Sequence, residues 1–288
     1  MIDTLKKLFI ISRPISWPNT AYPFAAGYLV TGGVIDGSFI LLTLYFLIPY
    51  NLLMYGVNDV FDYESDIRNP RKGGIEGAQE QKAFHPTILW AVAVTNLPFI
   101  IWILWTGNLL SNVVFVALLF FVIAYSVARL RFKEIPVLDS ITSSIHFVGP
   151  LVFAVVITGF SATYIPYILA FFLWGAASHA FGAVQDIIPD RQAKLASIAT
   201  VLGAQSTTRL VFILYLTSSI ILILQNIPAA IVGCTGLIYA ANVFPFLGIT
   251  DKTSGDANKG WRRFIWLNLV TGFIITIVLI VTSLHDIA

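Results

Sequence analysis

The chain has 288 residues, of which 57% are hydrophobic and 11% charged, with a formal net charge of +2. The mean hydropathy is +0.83. This composition excludes a soluble globular domain, and no nucleic-acid partner is expected. The single cysteine, Cys234, excludes a disulfide framework. The sequence therefore predicts an integral protein of the cell membrane, built as a single domain over residues 1–288.

Apolar stretches long enough to cross a bilayer recur along the whole chain. A helical span needs about 20 apolar residues. Breaks at charged residues, Pro and Gly predict nine spans, at 15–34, 38–57, 86–106, 109–128, 139–159, 164–184, 208–225, 227–247 and 262–283. Helices are expected because backbone groups in lipid must be satisfied within their own segment. The prediction is an all-α bundle of nine transmembrane helices, led in by an interfacial N-terminal segment rather than a removable signal.

The charged residues are confined almost entirely to one side of these spans. All 17 Lys and Arg residues fall at the N-terminus and in or beside four long loops, 58–85, 129–138, 185–207 and 248–261. Because cytoplasmic loops carry the excess of Lys and Arg, these segments are predicted to be cytoplasmic and the C-terminus external. The acidic residues share this side, except Asp36 and Asp286. Orientation does not explain them, since acidic residues contribute little to it.

The first acidic cluster lies in the sequence NDVFDYESD, which follows the second span. Asn58, Asp62 and Asp66 recur every four residues, so a helix that continues past the membrane surface would stack their oxygens on one face. Asp59 is a fourth candidate ligand. Hard oxygen ligands suit Mg²⁺, which binds through one or two carboxylates together with substrate phosphates. The pattern predicts a metal site, and the alternative is a solvated acidic helix end.

The second acidic cluster, in HAFGAVQDIIPDRQAK, ends the sixth span. Asp186 and Asp190 again stand four residues apart, and Pro189 between them predicts a local bend or break. Together, the two clusters are predicted to hold about two Mg²⁺ ions and a diphosphate, with Mn²⁺ able to substitute. The acids expected to act in catalysis are Asp62, Asp66, Asp186 and Asp190.

Cations near the acidic clusters are the expected diphosphate ligands. Arg and Lys can clamp phosphate oxygens and neutralise a departing diphosphate. The candidates are Arg68, Arg71, Lys72, Arg131 and Lys133. Tyr125, at the start of the same loop as the last two, joins Lys133 as a catalytic candidate. Membrane orientation alone is the alternative role for each of these cations.

At these residues the chain resembles the UbiA family of membrane prenyltransferases. The family motif N-D-x-x-D-x-x-x-D is complete at 58–66, N-P-R follows at 69–71, and Y-S-x-x-x-x-R-x-K occupies 125–133. The second acidic motif is matched at 186–190. The combination of this second motif with the sequence NDVFDYESDIRNPRKGGIEGA looks most like the carotenoid branch of the family, the lycopene elongases. The resemblance implies Mg²⁺-dependent transfer of an allylic prenyl group from a diphosphate, dimethylallyl diphosphate in that branch, to a lipophilic acceptor from the bilayer.

An acceptor or an allylic cation would need a pocket within the helices. Polar groups at membrane depth are candidates for function, which draws attention to His146 and His179. Asn19 in the first span, with Gln185 and Tyr55 near the cytoplasmic level, completes the set of pocket candidates. Hydrogen bonding between helices, or simple packing, is the alternative for each of them.

Three other functions fit part of the pattern. A transporter is possible for nine spans, although its site is expected near the bilayer midplane rather than at the cytoplasmic surface. Within enzymes, the acceptor is alternatively an aromatic quinone precursor or another lipid. A phosphatase of lipid diphosphates would use the same diphosphate clamp without any acceptor.

Overall fold

The structure is a computed structural model, and it describes residues 2–67 and 80–285, except the side chains of residues 65, 66 and 283–285. Helices and short turns make up this part of the chain, which contains no β-strand. The chain divides into two compact units. The first unit is Met1–Phe132 with Ile145–Phe160, and the second unit is Lys133–Ser144 with Ser161–Ala288. The single domain expected over the whole chain stays a prediction.

The first unit is built around one helix that carries the first acidic motif. Its helices are α1 (Ile2–Ile11), α2 (Pro18–Val30), α3 (Gly37–Leu47), α4 (Pro49–Asp66), α5 (His85–Thr106), α6 (Leu109–Ser126) and the later part of α7 (Leu138–Thr158). Helix α4 packs against α1, α3, α5 and α6. The core around it is rich in buried aromatic side chains, including Phe24, Tyr45, Phe46 and Phe115. This packing fixes the helix on which the motif lies.

The second predicted span is two helices rather than one. Helix α3 ends at Leu47 and α4 begins at Pro49, where the missing N–H costs nothing because a first-turn amide has no partner within the helix. The buried amide of Asn51 donates to the carbonyls of Phe46 and Leu47 at 2.9 and 3.1 Å. These bonds satisfy carbonyls that the end of α3 leaves open. Helix α4 then runs unbroken to Asp66, as the spacing of the motif predicts.

The second unit contains the second acidic motif. Its helices are the first turns of α7, then α8 (Ile165–Val184), α9 (Ile187–Gln192), α10 (Ile198–Leu202), α11 (Ala204–Ile223), α12 (Ile227–Val243) and α13 (Asn258–His285). Helix α11 packs between α8 and α12, and α12 also packs against α13. Phe181, Tyr215 and Tyr239 are buried in the core of this unit. The Tyr215 hydroxyl lies 3.0 Å from the Ser178 hydroxyl, which satisfies both groups away from water.

Eight helical segments of the described chain are long and apolar enough to cross a membrane, which confirms an integral membrane protein. They are Gly37–Glu64, Lys82–Thr106, Leu109–Ser126, Leu138–Thr158, Ala162–Val184, Ala204–Ile223, Ile227–Phe246 and Asp251–Thr282. They correspond to every predicted span except the first, 15–34. There, α2 has 13 residues and falls short of a full crossing. The count of nine spans therefore stays a prediction.

Candidate active site

The first acidic motif occupies the last turns of α4, and two of its carboxylates are buried. The Asp59 and Asp62 side chains are only 3% and 6% exposed. Burying a carboxylate is costly unless it is paired and hydrogen-bonded. This burial disagrees with the alternative of a solvated acidic helix end. The helical position of Asp66 continues the four-residue spacing, while its side chain lies outside the described part of the structure.

Residues from the end of α6 and the loop after it lie against this motif. The Ser126 hydroxyl donates to Asn58 Oδ1 at 2.8 Å. Arg131 Nη2 lies 3.7 Å from Asp62 Oδ1, and its Nη1 donates to the Phe61 carbonyl at 3.4 Å. The structure therefore brings Arg131 to the first acidic cluster, where a cation was expected.

Arg13 is a neighbour of the motif that sequence reasoning missed. Its Nη2 donates to Asp59 Oδ1 at 2.7 Å, and its guanidinium carbon lies 4.2 Å from the centre of the Tyr55 ring. A cation over an aromatic face is favourable, and the ion pair is largely shielded from water. Arg13 and Asp59 are 46 positions apart, so no local pattern joins them. From the sequence, Arg13 is only one of the cations that predict the orientation of the protein in the membrane.

Two ion pairs involve residues that stand just before and just after the segment 68–79. Lys82 pairs with Glu64, and Lys7 Nζ lies 2.8 Å from Glu80. Pairs of this exposed kind contribute little stability. The segment that they flank includes three expected diphosphate ligands, Arg68, Arg71 and Lys72. These three lie outside the described residues, and their roles stay predictions.

Tyr125 and His146 meet in the first unit. Their rings pack edge to face with centroids 5.0 Å apart. His146 is buried, and its Nε2 lies 3.4 Å from the Phe121 carbonyl oxygen, while its own carbonyl accepts from the Tyr50 hydroxyl at 2.9 Å. Links between helices are thus one role that His146 has. A pocket role for His146 stays a prediction, as does the one for Asn19, which is half-buried on α2.

The second acidic motif lies on a short helix after a break in the chain. Helix α8 ends at Val184, Asp186 directly precedes α9, and the Asp190 amide donates to the Asp186 carbonyl at 2.9 Å. Both acidic residues are half-buried. A break is present, but it lies at Gln185–Asp186 rather than between the two acids, where Pro189 predicted it. Pro189 lies within the first turn of α9, where its missing N–H is tolerated.

Side chains on both flanks hold this short helix. Arg191 donates to the Thr200 carbonyl from Nε and Nη2 at 3.1 and 2.6 Å, and from Nη1 to Asp251 Oδ2 at 2.6 Å. Before the helix, Gln185 Oε1 accepts from the Asn258 amide at 2.5 Å. Gln185, expected to line a pocket, therefore links α8 to the start of α13. Its pocket role remains a prediction.

Asp139, in the first turn of α7, is a fully buried anchor of the second unit. Its Oδ2 accepts from the Ile198 amide and its Oδ1 from the Ser140 amide, both at 2.7 Å. The Nε2 atom of His179 on α8 lies 3.8 Å from Oδ2. Asp139 thereby ties α7 to the start of α10, just beyond the second motif. Lys133 lies half-buried in the 3₁₀ turn Phe132–Glu134 that precedes α7.

Within residues 2–67 and 80–285, no three His, Cys, Asp or Glu side chains are placed to share one metal ion. The set of metal ligands predicted from the sequence also includes the amide of Asn58 and the side chain of Asp66, which lies outside the described part of the structure. Asp186 and Asp190, its remaining members, belong to the second unit. The metal-ligand set therefore stays a prediction.

The profile of the UbiA prenyltransferase family matches residues 20–269. The chain belongs to the UbiA prenyltransferase family. It is 47% identical over 289 residues, with 100% of both chains covered, to a lycopene elongase/hydratase of Corynebacterium glutamicum. It is also 47% identical to the C(50) beta-cyclic carotenoids biosynthesis protein LbtBC of Dietzia sp., over 94% of this chain and 64% of that protein. The carotenoid branch expected from the motifs is thus confirmed among its relatives.

Solved UbiA structures share the fold. A UbiA homologue from Archaeoglobus fulgidus, bound to DMAPP and Mg²⁺, superposes with a TM-score of 0.66 at 18% identity, covering 94% of this chain and 99% of that one. At this identity the likeness concerns the fold. With the family established, this UbiA protein is a prenyltransferase, and the transporter alternative is not supported.

Proposed function

We propose that this UbiA enzyme transfers the dimethylallyl group of dimethylallyl diphosphate to lycopene, in the direction of a C50 carotenoid. The observation that carries the proposal is 47% identity over the whole chain to a lycopene elongase/hydratase. The binding of DMAPP and Mg²⁺ by the Archaeoglobus homologue supports the donor class. The acceptor is a fully apolar hydrocarbon, which fits entry from the membrane lipids.

A divalent metal, Mg²⁺ or a substituting Mn²⁺, is part of this proposal, at about two ions. The donor chemistry fits, because Asn58 and Asp62 supply hard oxygens from positions four residues apart on α4. When bound, the metal offsets the negative charge of the leaving diphosphate. The residues proposed to hold it are Asn58, Asp62, Asp66, Asp186 and Asp190.

Arg131 and Lys133 are proposed to bind the diphosphate together with Arg68, Arg71 and Lys72. The support comes from Arg131, whose guanidinium lies 3.7 Å from the Asp62 carboxylate. A guanidinium beside a ligand carboxylate donates readily to phosphate oxygens that bind there. Charge on the diphosphate grows as its bond to carbon breaks, so such donors stabilise the transition state more than the ground state.

The carbon chemistry requires an apolar, water-poor site. The allylic C–O bond breaks, and a terminal alkene of lycopene forms a C–C bond to the dimethylallyl carbon. The resulting tertiary cation ends the reaction by losing a proton or by taking up water. Aromatic faces such as those of Tyr55 and Tyr125 would stabilise the cations, and His146 and His179 are proposed to face this chemistry. Exclusion of water until the C–C bond has formed prevents simple hydrolysis of the donor.

The proposed topology has nine spans, with the N-terminus and the acidic motifs in the cytoplasm and the C-terminus outside. The confinement of all 17 cations to one side supports this orientation. The span that is added to the eight long helices is the first along the chain. It consists of the 13-residue helix α2 and the residues that flank it. Tags at the N-terminus and at Ala288 should therefore be accessible from opposite sides of the membrane.

Expression in a lycopene-accumulating host tests the proposal. We expect pigments heavier than lycopene by one or two dimethylallyl groups, with or without added water. An empty vector and the Asp62→Asn variant serve as controls and should leave lycopene unchanged. Unchanged pigment together with a newly prenylated quinone would instead establish the aromatic acceptor and overturn lycopene.

A further inference from the structure

The segment that joins α1 to α2 has an unusual backbone. Arg13 adopts φ 50° and ψ 74°, in the left-handed region, although it is not a glycine. This conformation is unfavourable for an L-residue, and it persists only when the surroundings hold it. The following Pro14 also disfavours the right-handed helical conformation at Arg13. The chain therefore accepts local strain to direct this arginine.

The Arg13 side chain reaches the first acidic motif. It is 15% exposed, and its Nη2 lies 2.7 Å from Oδ1 of Asp59, which is 3% exposed. Tyr55 lies one turn before Asp59 on α4, and the guanidinium covers its ring at 4.2 Å. One side chain of the N-terminal segment thus contacts two successive turns of the motif helix.

The surrounding packing is equally close. Ile11, at the end of α1, is fully buried. A Cβ atom at Gly56 of α4 would lie 3.7 Å from Ile11 Cγ2 and 3.0 Å from Ile88 Cγ2 on α5. Helix α4 therefore has little room to rotate between α1 and α5, and the Arg13–Asp59 pair fixes it on the α1 side.

Asp59 differs from the other members of its motif in its partner. At about 100° per residue, Asp59 lies about 60° around the helix axis from Asp62, with Tyr55 between them, so the helical repeat does not place Asp59 on a separate face. Its distinction is the buried pair with Arg13, whose guanidinium donates to Oδ1 of Asp59 and covers the Tyr55 ring. The family motif N-D-x-x-D-x-x-x-D, rather than the four-residue spacing, placed Asp59 among the expected metal ligands.

We propose that Asp59 is a positioning residue, paired with Arg13 to fix α1 against α4 and thereby to set the rotation at which Asn58 and Asp62 are presented. In this role its carboxylate is balanced by the guanidinium of Arg13 rather than by the metal. This inference rests on the metal-dependent transfer proposed above. Loss of either partner removes the compensation that the pair gives to a buried charge, so it perturbs α4 and lowers turnover while the ligand oxygens remain in place.

The experiment uses the full-length protein in detergent micelles, with Mn²⁺ and a non-ionising thiolo analogue of dimethylallyl diphosphate as probes. Mn²⁺ binding is followed by electron paramagnetic resonance, alongside turnover and the unfolding temperature. Asp59→Asn and Arg13→Gln should each lower turnover and the unfolding temperature. Their Mn²⁺ affinity should fall by less than the about 10–100-fold that changes around a metal site produce. The double variant should lose no more than the worse single one.

Asp62→Asn is the matched comparison, since it is the same substitution one turn further along the helix. It should weaken Mn²⁺ binding by about tenfold or more. Equal losses of Mn²⁺ affinity in Asp59→Asn and Asp62→Asn, with unfolding unchanged in the former, would overturn the positioning role. If Asp62→Asn also retains full Mn²⁺ affinity, the proposed metal site fails instead. The Arg13–Asp59 pair is then judged separately, by whether its unfolding effects are non-additive.

If Asp59→Asn yields too little folded protein, the charge exchange Arg13→Asp with Asp59→Arg tests whether the two side chains form a stabilising pair. Recovery of folded protein by the exchange, relative to Asp59→Arg alone, supports the pair. No recovery overturns it.

Discussion

The two acidic motifs are held in different ways. The first occupies the end of an 18-residue helix, and buried carboxylates there are faced by side chains from distant parts of the chain, those of Arg13 and Arg131. The second lies around a six-residue helix, and its half-buried acids depend on hydrogen bonds made by neighbouring residues. The helical repeat sets the ligand spacing in the first motif, whereas tertiary links set the course of the chain in the second.

This difference implies different sensitivities. A helix such as α4 stays helical when one exposed contact is lost, because packing on several neighbours supports it. A helix as short as α9 has almost no intrinsic stability. Its position depends on Asp139, Gln185 and Arg191, none of which is expected to bind the metal. Substitutions at the ligands and at these supporting residues should therefore separate loss of chemistry from loss of structure.

The largest effects are expected at the acids themselves. Asp62→Asn and Asp186→Asn should each reduce turnover by about 10²–10³-fold or more, because both motifs are proposed to offset the charge of one diphosphate. The change is isosteric, so the protein should remain folded. Turnover per folded, membrane-inserted protein is the measurement. Asp256→Asn, at an exposed pair with Lys259, is the control. Near-normal turnover in either motif variant would end the two-motif account.

The next effect concerns the cations after α6. Arg131→Gln and Lys133→Gln should each slow the reaction by about 10²-fold at saturating donor, since both are proposed to donate to the charge that develops on the diphosphate. Lys133→Arg should rescue poorly, because a planar fork does not replace a point charge. Lys252→Gln, at an exposed position, controls for lost positive charge. If both loop variants turn over normally once inserted, orientation is the only role of these cations.

A smaller, structural effect is expected at Asp139. Asp139→Ala removes the acceptor of the Ile198 and Ser140 amides and should destabilise the fold by about 1–3 kcal/mol per buried amide left unpaired. Thermal unfolding in detergent measures this loss. The start of α10 should loosen, so turnover should fall together with stability, and lower temperature should partly restore it. An unchanged unfolding temperature contradicts the anchoring role of Asp139.

The smallest effect is expected at the exposed pair of Arg191 and Asp251. Asp251→Asn keeps an oxygen to accept from the Ala204 amide but loses the charge facing Arg191, at a cost of up to about 1 kcal/mol. Salt screens exposed charges, so the difference in unfolding temperature from wild type should shrink as ionic strength rises. A difference that does not change with salt would show that the charge itself contributes nothing.

The sequence predicted most of what depends on local periodicity. The extension of α4 to Asp66 follows from the four-residue spacing. Proline chemistry predicted a break near Pro189, and the break lies a few residues earlier, just before α9. The proximity of Arg131 to the first motif was expected from their common side of the membrane. The pairing of Arg13 with Asp59 was not predictable, since 46 positions separate them, and neither was the link from Asp139 to Ile198, which spans 59. Contacts of this kind arise from packing between helices and leave no repeat in the sequence.

The most direct test of the proposed reaction follows the transferred group itself. Purified protein in lipid vesicles that contain lycopene is given dimethylallyl diphosphate labelled in its carbon chain, together with Mg²⁺. We expect label in carotenoids heavier than lycopene, and no such label with a chelator or in the Asp62→Asn variant. Label found only in released dimethylallyl alcohol or its monophosphate, with lycopene unchanged, would contradict transfer to lycopene and identify the enzyme as a diphosphatase under these conditions.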